Sequence, residues 1–163
     1  MIFIFILLFL FTGLNPTQDL LPSSSVDKIE VYKSKRELLL ISNGKVIRKY
    51  QIALGGSPVG HKRFEGDQKT PEGIYIIDER NPRSRFHKSL HISYPNTEDL
   101  EYASKHNKSP GGELYIHGLG KFGYLGKMHT LKDWTLGCIA VTNEEIEEIY
   151  ALVKNGTRIE IFT

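Results

Sequence analysis

The sequence holds one cysteine, one tryptophan and two methionines in 163 residues. A lone cysteine excludes an internal disulfide, and it excludes the paired Cys-x-x-Cys spacing that builds structural zinc sites and dithiol redox centres. There is no His-x-His and no His-Glu-x-x-His, so the usual helical zinc motifs are absent. There is no Gly-x-Ser-x-Gly, which removes the nucleophile elbow of serine hydrolases, and Ser57 beside glycines has no evident partner. Neither sign of charge is in excess, with 21 basic against 19 acidic side chains. No concentrated basic stripe marks a dedicated nucleic-acid binder. No apolar run reaches the roughly twenty residues of an ordinary spanning helix.

The longest apolar run is Met1 to Phe11 (MIFIFILLFLF), followed by the break Thr12-Gly13-Leu14-Asn15-Pro16. It has the length of a signal-peptide apolar region, although no Lys or Arg precedes it and no small-x-small cleavage site follows. A buried N-terminal strand is the alternative, since Ile and Phe favour strands. We read residues 1–14 as a signal peptide or apolar anchor, 15–26 as a Pro/Ser-rich linker and 27–163 as one folded domain. The expected location is the periplasm or cell envelope, with membrane contact only through that anchor. In an oxidising compartment a free thiol is a hazard unless it reacts, whereas a buried inert cysteine is the ordinary alternative.

Beyond the linker the dominant signal is β. Lys28 to Lys33 alternates in polarity, Glu37 to Ser42 is strand-like, and Asn43-Gly44 predicts a hairpin turn into Lys45 to Leu54. Gly55 to Gly60 reads as a loop passing close to the sheet, and His61 to Lys69 as a charged, exposed connection. Ile74 to Asp78, Leu90 to Tyr94, Glu113 to His117 and Thr157 to Phe162 are further strands. Arg80 to Lys88 reads as a basic loop. Asn96 to His106 is a short capped helix, and Thr142-Asn143-Glu144-Glu145 caps a second one carrying Ile146, Ile149, Tyr150 and Val153 at helical spacing. Gly118 to Gly126, with four glycines, reads as a flap. The fold class is mainly β with short helices (α+β), a sandwich or barrel-like mixed sheet.

Two stretches carry the chemistry. Cys138 lies between Gly137 and Ile139, where a missing side chain lets a carbonyl approach and backbone N–H groups converge on an oxyanion. A free thiol with a pKa of about 8.5 needs a base at neutral pH. Of six histidines, His117 is the best placed, ending an apolar strand before Gly118; His129 is second. His61, His87 and His106 fall in charged loops and read as solvated. His91 lies in a strand and reads as either a structural or a substrate-contacting residue. Zinc held by Cys138, His117, His129 and His91 is the competing constellation, but its spacing matches no ligand pattern; no metal or cofactor is expected.

His117-Gly118 and Thr135-Leu136-Gly137-Cys138-Ile139 together resemble the L,D-transpeptidase catalytic (YkuD-type) domain. Gly66-Asp67-Gln68-Lys69-Thr70-Pro71-Glu72-Gly73 is similar to that family's Gly-Asp-x-x-Thr-Pro-x-Gly segment. Gly137 to Asn143 resembles the small YafK-like branch most. The resemblance spans Lys28 to Phe162 and implies a β-rich domain acting on peptidoglycan stem peptides in wall cross-linking, remodelling and cell shape. It implies that Cys138 attacks the diamino-acid carbonyl of a tetrapeptide stem, that His117 moves the proton and that D-alanine leaves a thioacyl-enzyme. Gly137, Gly118 and Thr135 are the implied motif and oxyanion residues. Many members carry Arg two residues after the cysteine; here that residue is Ala140. Arg80, Arg83 and Arg85 are candidate replacements for holding a carboxylate, with His91, Tyr94 and Trp134 as further substrate contacts. A hydrolase of the same family, releasing D-alanine or a wall-attached lipoprotein, is the near alternative. A non-catalytic wall-binding module is the distant one.

Overall fold

The computed structural model describes residues 25–163. The expected signal or anchor and most of the linker lie outside the described residues.

Eight strands form one mixed sheet: β1 (Lys28–Tyr32), β2 (Glu37–Ser42), β3 (Lys45–Gln51), β4 (Gly73–Ser84), β5 (His87–Ile92), β6 (Tyr115–His117), β7 (Ile139–Ala140) and β8 (Arg158–Phe162). Their spatial order is β3-β2-β1-β8-β4-β5-β6-β7. Two pairings are parallel, β1 with β8 and β6 with β7; the rest are antiparallel. The sheet curls until its two ends meet. Ala53, just past β3, exchanges both backbone hydrogen bonds with Ala140 of β7 at 3.0 and 2.9 Å. A second bridge, Gly55 with Thr135, extends the closure, and the barrel-like expectation is met there.

The first hairpin forms where the sequence predicts it. Asn43 and Gly44 take φ of +50° and +71°, the left-handed pair that a two-residue turn with the right twist demands. Alternation decides which faces are buried: Ile29 and Val31, Leu38 and Leu40, and Tyr75 and Ile77 point inward, while Ile74 and Ile76 face out. Helix α1 (Thr97–Lys105) is closed by a reciprocal cap between Asn96 and Asp99, and α2 (Asn143–Leu152) by one between Thr142 and Glu145. The α2 face carrying Ile146 and Ile149 packs against β5 and completes the core.

Three local expectations change. Arg80 to Lys88 is not a free loop: β4 runs on to Ser84 and returns as β5. Pro82 is tolerated because the register shifts between Asn81 and Ser84, so no ladder N–H is needed there. The Gly118–Gly126 flap is instead tight 3-10 turns over Gly120–Leu131, broken at Gly126. The connection 61–69 is folded on itself, with Lys62 buried against the Asp67 carboxylate at 2.9 Å. No helix among the described residues is long and apolar enough to cross a membrane.

Candidate active site

His117 ends β6 and Ala140 faces it across the parallel ladder. Cys138 comes directly before β7, one residue short of the strand that pairs with β6. His117 and Cys138 line one cleft of about 900 Å³, together with Phe86, Trp134, Thr135 and Tyr115. The thiol is half-buried and donates toward the Glu113 carbonyl at 3.5 Å. Desolvation pushes its pKa up; the Tyr115 N–H and the charge of Lys62 oppose this in part. The sulfur is therefore a neutral thiol at neutral pH and needs a base to react.

His117 is 3% exposed. Its Nδ1 lies 2.6 Å from the Gly118 carbonyl, which can only accept, so the proton sits on Nδ1 and Nε2 is left as the basic nitrogen. Phe86 stacks on the ring at 4.4 Å and Trp134 meets it edge-on at 6.0 Å. Burial is the main cause that lowers its pKa to about 4, and the nearby Arg85 charge acts in the same direction. The imidazole is neutral across the whole physiological range. A neutral imidazole and a neutral thiol lining one cleft are a pair through which a proton could pass as the thiol attacks.

The turn bearing the thiol is fixed by threonines. Thr135 Oγ1 donates to the Cys138 carbonyl at 2.7 Å and accepts the Gly137 N–H at 3.1 Å. Gly137 has a φ of +135°, and a Cβ there would sit 2.7 Å from the Lys69 carbonyl, so only glycine fits. The Gly137 N–H, an implied oxyanion donor, is thus already engaged by Thr135. Gly118 is equally confined: its Cβ would meet Asn143, the Phe86 carbonyl and Ile146.

The remaining candidates divide. Arg83, Arg85 and Trp134 line the cleft. Arg80 does not; its guanidinium stacks 4.1 Å over Tyr150 and binds the Tyr150 carbonyl. Tyr94 is in the core, its hydroxyl on Pro110 O at 3.1 Å. His91 pairs with Asp78 at 2.6 Å and packs on Tyr115 from outside the cleft. His129 is buried behind Trp134 with neither ring nitrogen bonded, and burial lowers its pKa. His61 is not solvated: Nε2 donates to buried Asp99 at 2.8 Å and Nδ1 accepts from the Glu72 N–H at 2.8 Å. His87 and His106 are exposed, as expected, though His87 pairs with Glu147 at 2.6 Å. No cluster of potential metal ligands occurs among the described residues. Sequence reasoning did not identify Phe86, Glu113 and Tyr115 as cleft residues; only the proximity of Glu113 and Tyr115 to His117 hinted at a role.

A curled mixed sheet in which one cleft is lined by a buried imidazole at the end of β6 and a thiol just before the parallel β7 is the class that fold and site define. The L,D-transpeptidase catalytic domain profile matches residues 27–161, and the chain belongs to that family. The YafK protein of Escherichia coli (strain K12) is 30% identical over 131 residues, covering 77% of this chain and 46% of that protein. Among solved structures, the helical cell shape determining protein Pgp2 of Campylobacter jejuni aligns with a TM-score of 0.62 and 26% identity, over 83% of this chain and 47% of that one. Bd1075 of Bdellovibrio bacteriovorus aligns with a TM-score of 0.60 and 29% identity, over 86% and 49%. The chain spans about half the length of these relatives.

Proposed function

We propose that this protein is an exported, cysteine-dependent L,D-transpeptidase of peptidoglycan. The Cys138 sulfur attacks the diamino-acid carbonyl of a tetrapeptide stem while His117 Nε2 takes the thiol proton. Collapse of the tetrahedral intermediate breaks the amide bond, and the leaving D-alanine amine receives that proton from His117. The thioester then passes to an amine of a neighbouring stem, which loses a proton to His117 as the thiol is released. Family membership supports the reaction class. The observation that carries the assignment of roles is the one cleft lined by Cys138 and His117, with the imidazole tautomer held by Gly118. Arg83 and Arg85, which line the cleft, suit a substrate carboxylate and stand in for the arginine that Ala140 replaces. Ala140 itself is fully buried at the sheet closure, where a guanidinium has no room.

The thiol is only half-buried, so water reaches the thioester and hydrolysis is the second reading. Export through residues 1–14 brings the domain to its substrate. The decisive experiment incubates purified full-length protein with disaccharide-tetrapeptide muropeptides and identifies products by mass spectrometry. Cross-linked dimers are expected; shortened monomers alone would move the assignment to the hydrolase, and unchanged substrate would leave a wall-binding module. Cys138→Ala is expected to abolish turnover with its circular dichroism and melting unchanged. Retained turnover in that variant removes Cys138 as nucleophile.

A further inference from the structure

We infer that Thr70 is a positioning residue for acyl transfer: its buried hydroxyl sets the Gly137–Cys138 peptide so that the Cys138 N–H is the donor for the developing oxyanion. This rests on the acyl chemistry proposed for Cys138. Thr70 is fully buried; its hydroxyl donates to the Gly137 carbonyl at 2.8 Å and accepts the Gly55 N–H at 3.3 Å. A trans peptide is planar, with C=O and N–H pointing in opposite directions, so fixing the Gly137 oxygen fixes the direction of the Cys138 N–H. Thr135 holds the next peptide through the Cys138 carbonyl and occupies the Gly137 N–H. Of the N–H and C=O groups of Gly137 and Cys138, the Cys138 N–H alone has no partner among the described residues. A donor that is idle in the ground state and rigidly aimed is what stabilises a transition-state oxyanion.

The rigidity comes from outside the cleft. Lys33 is 2% exposed, and its three ammonium hydrogens are matched by three acceptors: the Gly60 carbonyl at 2.7 Å, the Thr70 carbonyl at 2.9 Å and the Glu72 carboxylate at 2.9 Å. Asp67 closes the same loop by accepting from the N–H groups of Arg63, Phe64 and Lys69. The loop then presses on the thiol turn through two glycines. A Cβ on Gly55 would collide with the Gln68 carbonyl, and one on Gly137 with that of Lys69. Residues 66–70 are thus the seat on which the nucleophile turn rests.

The test compares two reactions of Cys138 in the full-length chain. Acylation by p-nitrophenyl acetate passes through an oxyanion; alkylation by iodoacetamide does not. Thr70→Val is expected to slow acylation roughly 10- to 100-fold while alkylation stays within about twofold, and Thr70→Ser to restore acylation. If Thr70→Val fails to fold by thermal melting, Thr70→Ala takes its place under the same two rates. Wild-type acylation in the variant, a parallel fall in alkylation, or a serine variant as slow as valine overturns the inference. Wild-type protein that is acylated by the ester but leaves muropeptides intact overturns the wall substrate and not the role of Thr70. Wild-type protein inert to the ester overturns both.

Discussion

His117 shows how one environment sets both reactivity and stability. Its ring is sealed between Phe86 and Trp134, and burial holds its pKa at about 4, against 6.5 for the free side chain. If it is the base, kcat/KM on muropeptides falls on an acid limb centred near pH 4. A limb near 6.5 would exclude a buried, neutral His117 from that role. The stability consequence follows from the same shift. Below pH 6.5 the unfolded chain binds a proton at this residue and the folded chain does not, so stability is complete above 6.5 and is lost as pH falls through about 4. The loss is on the order of 3 kcal/mol. His129, also lowered by burial, acts in the same direction. Urea midpoints between pH 7 and pH 4 should therefore drop in the wild type and drop less in His117→Gln, whose amide does not titrate. An equal drop in the variant would locate the acid sensitivity elsewhere.

Among the elements, both helix starts were legible because a cap is a local arrangement: Asn96 with Asp99 and Thr142 with Glu145 lie three residues apart and bond each other's backbone. The second role of Asn143 was not legible, because it depends on which distant segment packs beside α2. Its Oδ1 accepts from the Leu119 and Gly120 N–H groups at 2.8 and 3.0 Å, and its Nδ2 donates to the Gly120 carbonyl at 3.0 Å. Asn143 thus ties the chain leaving His117 to the helix after Cys138. The basic stretch around Pro82 misled for the same reason: proline usually argues against a strand, and only the bulge in β4 excuses it. Asn143→Ala is expected to cost about 2–3 kcal/mol from three lost hydrogen bonds, read as a lower urea midpoint. It should also reduce kcat more than it raises KM, since the turn after His117 loosens. A variant as stable as wild type would show that the flanking turns hold themselves.

At the scale of the whole molecule, the site joins segments far apart in sequence: Ala53 and Thr70, His117, and Cys138 with Ala140. The lone cysteine and the His-Gly pair were visible in sequence because their chemistry is rare. Their support was not, because neither parallel pairing, β1 with β8 or β6 with β7, leaves a hairpin signal. The two-residue β7 has little pairing of its own and is held on one side by β6 and on the other by the Ala53 bridge. Closing the sheet thus holds β7 beside β6, and the Thr70 and Thr135 hydrogen bonds hold the thiol turn that leads into it. Ala53→Pro removes the N–H that Ala140 O accepts, whereas Ala53→Gly keeps it and loses only chain stiffness. The proline variant is expected to be about 3 kcal/mol less stable and to lose muropeptide turnover, and the glycine variant to lose about 1 kcal/mol and remain active. If denaturant unfolding gave the two variants the same midpoint, the Ala53 bridge would be incidental, and β6 with the Thr70 and Thr135 hydrogen bonds would position Cys138 without it. If the proline variant fell further while Cys138 still reacted with iodoacetamide, closure would be required for alignment of the thiol with His117 and not for access to it.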